Sequence, residues 1–550
     1  MSWSIRPIAH EEISVTTDTN IHDTTLRLSR LAFAIACAIG LAGAWFALGY
    51  HSLWFDELWT AGVVGTDHDL GAMFARNFAE TNPPIYYLAL FYFSQVAGVS
   101  DQALRAFSAF FGCLAIVVFV LGTRQSFSLS ARLFAAALAT GSYFWFFQSQ
   151  NVRCYTLALA IGAGIVTIAL SLLRDPSRPP ASGKLAALAA LMLLGSFTHF
   201  YVAYQSLGVL LVLLFYRRPL WPYVGAMSAV LVGSLLLYRH FAIAPYSQID
   251  PNNFWFPRDL SWYPLSLRSI VQLEWRRPGV LALGLCVAAI AIGYVRQRRR
   301  SPDPAVPARS LARDRVLVLA ATVPVIVLAA GFFSSVLIAP NFSDRNFLTC
   351  APFLWAFSAS LYDLAQEAEI GRAWRAGLNA ALAFCVLAMA QVVVHRVSDS
   401  PVAHLWYQPF RQAAEAVRAV PACRDATIPV IVVDPKAWYR GDYGDRLFAH
   451  AYGYYLRGHA TPRPVFIEDI RSGRLDAALA DEMRARLGGQ GCPVVALGIH
   501  RVYEGDIPII RSELLKALGV ADVTPDRLAT RVLKDGWWGF IFAAPSSAAR

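Results

Sequence analysis

The chain has 550 residues, 56% of them hydrophobic and only 15% charged, with a mean hydropathy of +0.44. Soluble domains carry roughly 45–50% apolar and about 25% charged residues, so the composition excludes an ordinary soluble enzyme and indicates a polytopic membrane protein. The formal charge of +11 would suit a nucleic-acid binder. Lys and Arg instead gather in short loops between apolar runs, where the positive-inside rule expects them, and that class is excluded as well.

A polar stretch of about 25 residues precedes the first apolar run, which is long enough to span and reads as a signal anchor. A spanning helix needs about 20 apolar residues. Candidate runs lie near 29–50, 102–121, 133–149, 154–173, 185–199, 201–216, 220–238, 279–295, 315–338, 347–364 and 376–395, about eleven spans in all. Arg124 and Arg132, then Arg174, Arg178 and Lys184, then Arg217 and Arg218 form successive basic loops; "RQRRRSPDPAVPARSLARDR" from Arg296 is the strongest, and Arg372 with Arg375 a weaker one.

All of these fall on one side only if two stretches are read in a particular way. The run from Lys184 to Tyr216 must be a tight hairpin with "THFY", Thr198 to Tyr201, at its outer tip. "PPIYYLALFYFSQVAG" from Pro83 must not cross fully, and its shortness suits an interfacial or re-entrant segment. The N-terminus is then cytoplasmic, the C-terminus periplasmic, and the first outer loop covers 51–101.

After Ser398 the composition changes. "IPVIVVD", "RPVFIED" and "CPVVALGIH" read as buried strands, separated by helix-like stretches such as "RQAAEAVRAV" and "LDAALADEMRARL". The expectation is a small periplasmic α/β domain. The division is a cytoplasmic tail at 1–27, a transmembrane domain at 28–398 and the α/β domain at 399–550. Six cysteines (37, 113, 154, 286, 350 and 385) lie in or beside apolar runs without metal-ligand spacing and read as packing residues. Cys423 and Cys492 are either a disulfide in an oxidising compartment or two unrelated buried thiols.

With this threading the distinctive polar residues share the outer face: "FDELW" with Asp56 and Glu57, "ETNPPIYY", "QSQNVRCY", "THFY", "NFSDRNF" and the long loop after Tyr238. Arginine binds phosphate bidentately and stays charged, so Arg153 or Arg345 could hold a phosphodiester at headgroup depth, and a carboxylate could take a proton from an acceptor hydroxyl. Each residue also has an ordinary explanation. Acids among aromatics at a helix end form an interfacial belt, arginines snorkel, and a histidine at a hairpin tip serves the backbone. Trp255, Trp262 and Trp275 read as anchors of the outer loop. The joint grouping is more specific than any member.

The grouping resembles bacterial glycosyltransferases of the GT-C superfamily, in particular relatives of the protein O-mannosyltransferases and the lipid A aminoarabinose transferases (glycosyltransferase family 39-like). Four segments carry the likeness in order: "WFDELWTA", "NPPIYYLALFYFSQVAGVSDQALRAFSAFFG", "SQNVRCYTL" and "THFY", with "SDRNFLTCAPFLWAFSAS" a looser fifth. The resemblance implies transfer of a sugar from a polyprenyl-phosphate donor to an envelope lipid, polysaccharide or protein acceptor, with inversion, at a multi-pass protein of the inner membrane. It assigns the base to Asp56 with Glu57 as neighbour or metal contact, and substrate binding to Arg153, Tyr155, Arg345, His199, Asn82, Tyr86 and Arg105. Two positions depart from it: Asn82 stands where a cation is common, and Asn151 replaces an acid. A divalent cation, magnesium or manganese, is left open. The alternatives are a flippase for lipid-linked glycans, which should show repeats and midplane charges, and a non-catalytic assembly protein on the same scaffold.

Overall fold

A computed structural model describes the chain except residues 1–9, 66, 79–81, 175–179, 241–261, 301–310, 339, 400–409, 433–452, 488–490, 499–505, 520–528, 534–538 and 544–550. The long loop after Tyr238 with Trp255, much of the loop after Arg296, and Glu80 of "ETNPPIYY" therefore lie outside the described residues.

Helix α1 (His10–Trp45) leads to a short connection and then to α2 (Phe55–Val64) and α3 (Leu70–Phe78), followed by α4 (Ile85–Ala97) and α5 (Asp101–Gly122). The bundle continues with α6 (Leu129–Gly141), α7 (Tyr143–Ser149), α8 (Tyr155–Arg174), α9 (Ser182–Ser196), α10 (Phe200–Tyr216) and α11 (Trp221–Tyr238). Beyond residue 261 come α12 (Trp262–Glu274), α13 (Arg276–Arg300), α14 (Leu311–Leu337), the short α15 (Asp344–Phe347), α16 (Ala351–Glu367) and α17 (Arg372–Asp399). Among the described residues, eight helical segments are long and apolar enough to cross a membrane. Helices α6, α9 and α10 are shorter and apolar. Together these account for the eleven expected runs of a multi-pass membrane protein.

Two details differ from the sequence expectation. The run near 133–149 is not one helix: Ser142 is extended at φ −70°, ψ 145°, and its Oγ accepts from the Trp145 N–H at 3.0 Å, so a new helix, α7, begins there. A serine in that role caps free N–H groups that an apolar residue would leave unpaired. The stretch 51–101, expected as an outer loop, is itself helical through α2, α3 and α4. The Pro83 segment keeps both its ends at one end of the bundle. Ile85 N–H donates to Phe197 O at the α9–α10 tip at 3.0 Å, and Val99 O, just past α4, accepts from Tyr454 OH.

The opposite end of the bundle gathers the basic residues. Arg132 Nη1 donates to Val120 O at 2.6 Å, Lys184 Nζ to Ser171 Oγ at 3.4 Å, and Arg315 lies over the Tyr216 ring. Between the two ends the core is aromatic and small-residue rich. Gly40 and Gly43 of α1 let Thr140, Phe146 and Val393 approach closely, which aligns α1 with α17 and with the α6–α7 break.

The C-terminal part is an α/β domain. α18 (Phe410–Arg418) precedes β1 (Ala426–Val432), which pairs in parallel with β2 (Ala460–Phe466). α19 (Ile467–Arg471) and α20 (Ala477–Leu487) follow, and then β3 (Val494–Gly498) and α21 (Asp506–Ala517). β4 (Ala529–Leu533) and β5 (Gly539–Ala543) close a second, antiparallel sheet in the order β3-β5-β4. The expected strands and both expected helices are present; this antiparallel sheet was not foreseen. Cys423 and Cys492 form a disulfide that ties the start of β1 to the start of β3.

Candidate active site

The site begins where the chain leaves α1. Trp54 is extended and caps α2, and Glu57, three residues later, reaches back so that its Oε2 accepts from the Trp54 N–H at 3.1 Å. The rest of the Glu57 carboxylate is enclosed. Arg105 Nε donates to its Oε1 at 2.9 Å, Arg105 Nη2 to its Oε2 at 2.6 Å, and the Val152 N–H to Oε1 at 2.9 Å. Both side chains of this ion pair are 0% exposed. The remaining Arg105 donors go to Leu48 O, His51 O and Ser52 O at 2.8–3.0 Å.

The pair bears on two expectations. Arg105 has all five N–H groups committed to protein acceptors and none left for a substrate. Glu57, expected beside the base as its neighbour or a metal contact, is sealed from solvent and from any acceptor. What the pair does is join α5, the α1–α2 connection and the Gln148–Arg153 loop at one point. A charge in an apolar span demands a partner. That rule applied to Arg105 would have pointed to one of the two adjacent acids.

Asp56, one residue earlier, faces the other way. Its Oδ2 lies 3.3 Å from Arg345 Nη1, and the two side chains are 17% and 20% exposed. Arg153 reaches the backbone of the same residue: its Nη1 donates to Asp56 O at 3.3 Å and to Thr60 Oγ1 at 3.2 Å, while its Nε is buried without a hydrogen-bond partner. The guanidinium of Arg345 also sits 6.0 Å from the centre of the Trp54 ring. One part-exposed carboxylate thus faces Arg345, while Arg153, on a separate element, bonds the backbone carbonyl of the same residue.

Each arginine is positioned by its own local structure. Arg153 belongs to a tight loop after α7, where Gln150 Nε2 donates to Gly43 O and Phe46 O at 3.0 and 2.9 Å. Arg345 sits in α15, whose first turn Ser343 caps by accepting from Asn346 N–H at 3.2 Å. Asp344 beside it accepts from Ser269 Oγ at 2.6 Å. Asn346 connects the segments: its Oδ1 accepts from Tyr155 OH at 3.3 Å and its Nδ2 donates to Asn341 O at 2.8 Å. Sequence reasoning did not single out Asn346, because asparagine near a helix start is ordinarily only a cap.

The remaining expected residues fall into two groups. Tyr155 and His199 adjoin the arginine pair, their rings 5.4 Å apart, but His199 is buried and caps α10 by accepting from Tyr201 N–H at Nδ1. Tyr86 is buried between Tyr87 and Phe107, with its hydroxyl 3.5 Å from Ser108 Oγ. Asn82 presents its carbonyl to Asn77 Nδ2 at 3.3 Å. Asn151, where relatives were expected to have an acid, accepts from Trp54 Nε1 at 2.9 Å. A carboxylate there would set a second negative charge beside Glu57 without adding a bond.

For a divalent cation the donor set is poor. Among the described residues no group of three His, Cys, Asp or Glu converges. Asp56 already faces a cation and Glu57 is occupied. Magnesium and manganese prefer several oxygen ligands, so these residues do not fit one.

The C-terminal domain reaches this end of the bundle. Tyr455 OH donates to Asp101 Oδ2 at 2.7 Å and accepts from the Leu53 N–H at 2.7 Å, three residues before Asp56. Arg411 Nη1 donates to Asp101 Oδ2 and to Gly49 O, both at 3.1 Å, and its Nη2 to Tyr50 O at 2.8 Å.

An acid after the first long helix, arginines on later loops and an α/β domain bonded to the Leu53 and Asp101 end make up one arrangement, and its fold is similar to that of solved membrane-protein structures. Among solved structures, ArnT from Cupriavidus metallidurans bound to undecaprenyl phosphate shares it over 94% of this chain and 98% of that one, with a TM-score of 0.51 at 14% identity. The same protein in the apo state matches with a TM-score of 0.51 and 15% identity over the same shares. The Archaeoglobus fulgidus oligosaccharyltransferase complex with zinc and sulfate is similar at 0.46 and 13% identity, over 92% of this chain and 72% of that one. No family model and no curated protein matches the chain.

Proposed function

We propose that the protein is a glycosyltransferase of a bacterial inner membrane that moves a sugar from a polyprenyl-phosphate carrier to an acceptor on the periplasmic side. The observation that carries this reading is the part-exposed Asp56 carboxylate facing Arg345, with Arg153 bonded to the same residue. The fold likeness to a protein crystallised with undecaprenyl phosphate supports the choice of donor.

In this reading Asp56 accepts the proton of the acceptor hydroxyl as its oxygen attacks the anomeric carbon. The bond from that carbon to the phosphate oxygen breaks, and its electron pair leaves with the polyprenyl phosphate. The leaving group is already an anion of low basicity, so no acid is needed to protonate it. It needs cations, and Arg153 and Arg345 supply them, acting most strongly where water is excluded. Attack opposite the leaving group inverts the anomeric centre. Glu57 and Arg105 are positioning residues that fix the turn carrying Asp56, and no step passes through a metal.

The basic end of the bundle faces the cytoplasm in this reading, with residues 28–398 as the membrane domain and 399–550 as the periplasmic domain bracing the loop at Leu53. The test of chemistry is transfer from radiolabelled polyprenyl-phosphate sugars to a membrane extract, wild type against Asp56→Asn. Transfer should fall to background; equal transfer would remove Asp56 as the base. Orientation is tested by cysteines introduced at Arg298 and Arg474, which should label from opposite sides of the membrane.

A further inference from the structure

A second cationic cluster lies at the Asp56 end of the bundle, away from Asp56. The guanidinium carbons of Arg276, at the start of α13, and Arg396, in the last turns of α17, each sit 5.5 Å from the centre of the Tyr143 ring. Arg276 is half-buried and its Nε is enclosed without a hydrogen-bond partner, whereas Arg396 is exposed. Among the described residues neither guanidinium has a carboxylate partner. Glu274, two residues before Arg276, instead accepts from Trp355 Nε1 at 2.9 Å. Arg276 also holds a left-handed backbone, φ +52°. Outside glycine that conformation costs about 1 kcal/mol or more, so the packing around it must hold it there.

Two like charges converging on one aromatic ring repel each other, and the ring offsets only part of that. An anion between them would bond the free N–H groups and cancel the repulsion. The cluster's location identifies the anion's chemistry. Arg276 opens one candidate span (Arg276–Arg299) and Arg396 closes another (Arg372–Ser398). Trp275 immediately precedes Arg276, and tryptophan favours the bilayer interface. Beneath them α13 and α17 expose Val280, Leu281, Phe384, Leu387 and Val394. A charged ligand here sits where headgroup meets acyl chain.

We propose that Arg276, Arg396 and Tyr143 form a binding site for the phosphate of an anionic glycerophospholipid, its acyl chains lying along the exposed faces of α13 and α17. The site is separate from the Arg153–Arg345 pair, and the inference does not rest on the transferase reading. Guanidinium and phosphate pair bidentately, and two of them enclose one phosphodiester.

The test is native mass spectrometry of the full chain released from micelles containing phosphatidylglycerol and phosphatidylcholine in equal amounts. Wild type should retain phosphatidylglycerol preferentially. R276Q/R396Q should retain roughly tenfold less, the loss expected for removing charge-assisted bonds, with phosphatidylcholine unchanged. Equal phosphatidylglycerol retention would overturn the site. R396Q alone alters an exposed side chain, so it guards against a folding defect and should already reduce retention. R276K/R396K should recover part of it. Asp56→Asn should retain lipid like wild type, which separates this site from the catalytic proposal. Stabilisation of lipid-free protein by inorganic phosphate, matching that by phosphatidylglycerol and lost in R276Q/R396Q, would overturn the lipid assignment in favour of a soluble phosphate.

Discussion

Replacing Glu57 by Gln should unfold this protein more readily than replacing Asp56 by Asn, although the two acids are adjacent and the changes chemically alike. Glu57 and Arg105 are 0% exposed and share two hydrogen bonds, of 2.9 and 2.6 Å. Breaking a buried pair by neutralising one member leaves the other charge uncompensated and costs about 3–5 kcal/mol. Asp56 and Arg345 are 17% and 20% exposed and meet at 3.3 Å, a contact nearer the range of roughly 0–1 kcal/mol measured for solvent-accessible pairs. Thermal unfolding in detergent, followed by intrinsic tryptophan fluorescence, should place Asp56→Asn close to wild type and Glu57→Gln several degrees lower. The variant carrying both Glu57→Leu and Arg105→Met should recover part of that loss, because no charge is then stranded. Glu57→Gln melting with wild type, or Asp56→Asn being the less stable of the two, would refute the buried-pair account.

Arg345→Gln and Arg153→Gln should each lower the turnover number by about 10²–10³, the range for losing one donor to a developing oxyanion, with a smaller change in the KM for the carrier. Carrier saturation curves measure the split. Tyr455→Phe removes the hydroxyl between Leu53 and Asp101, and should cost about 0.5–1.5 kcal/mol and speed hydrogen exchange of the Leu53 amide. Opening the Cys423–Cys492 disulfide, which closes a separation of 69 residues, should destabilise the C-terminal domain by about 4 kcal/mol on the chain-entropy estimate. Limited proteolysis with and without reductant should then cut first between α18 and β3.

The membrane architecture was legible because apolar runs and basic loops report physical requirements directly. A chain must fill the bilayer with apolar helix, and Lys and Arg resist translocation. The break at Ser142 escaped because an apolar run continues through it, and only the serine's capping geometry ends the helix. At the site, sequence could bring Asp56, Arg153 and Arg345 to one end of the bundle, yet only the family resemblance, and no pattern in the residues themselves, separated Asp56 from Glu57. Their different fates follow from helical geometry. About 100° separates consecutive side chains on α2, enough to turn Glu57 into the bundle toward Arg105 and Asp56 outward toward Arg345. The second sheet, β3-β5-β4, was missed because "ATRVL" and "GFIFA" are five-residue stretches too short for periodicity to tell strand from helix.

That division of labour bears on why the departures at Asn82 and Asn151 need not silence the site. A general base must be ionised, reachable and held still, and no single carboxylate easily meets all three conditions. Burial enough to fix it would also favour its neutral form. Here the rigidity resides in Glu57, whose oxygens bind α2, α5 and the Gln148–Arg153 loop together without contacting solvent. Asp56 inherits that placement through one peptide bond and stays accessible beside Arg345. Asn151 belongs to the same frame, since its oxygen holds Trp54 Nε1 at 2.9 Å, a bond an acid there would supply at the cost of another buried charge. Asn82 lies outside the frame, and in the proposed reading the absence of a cation there would cost one contact to the carrier phosphate while leaving Asp56 where it is. The sensitive positions are therefore expected to be Glu57 and Arg105 for folding, and Asp56, Arg153 and Arg345 for transfer.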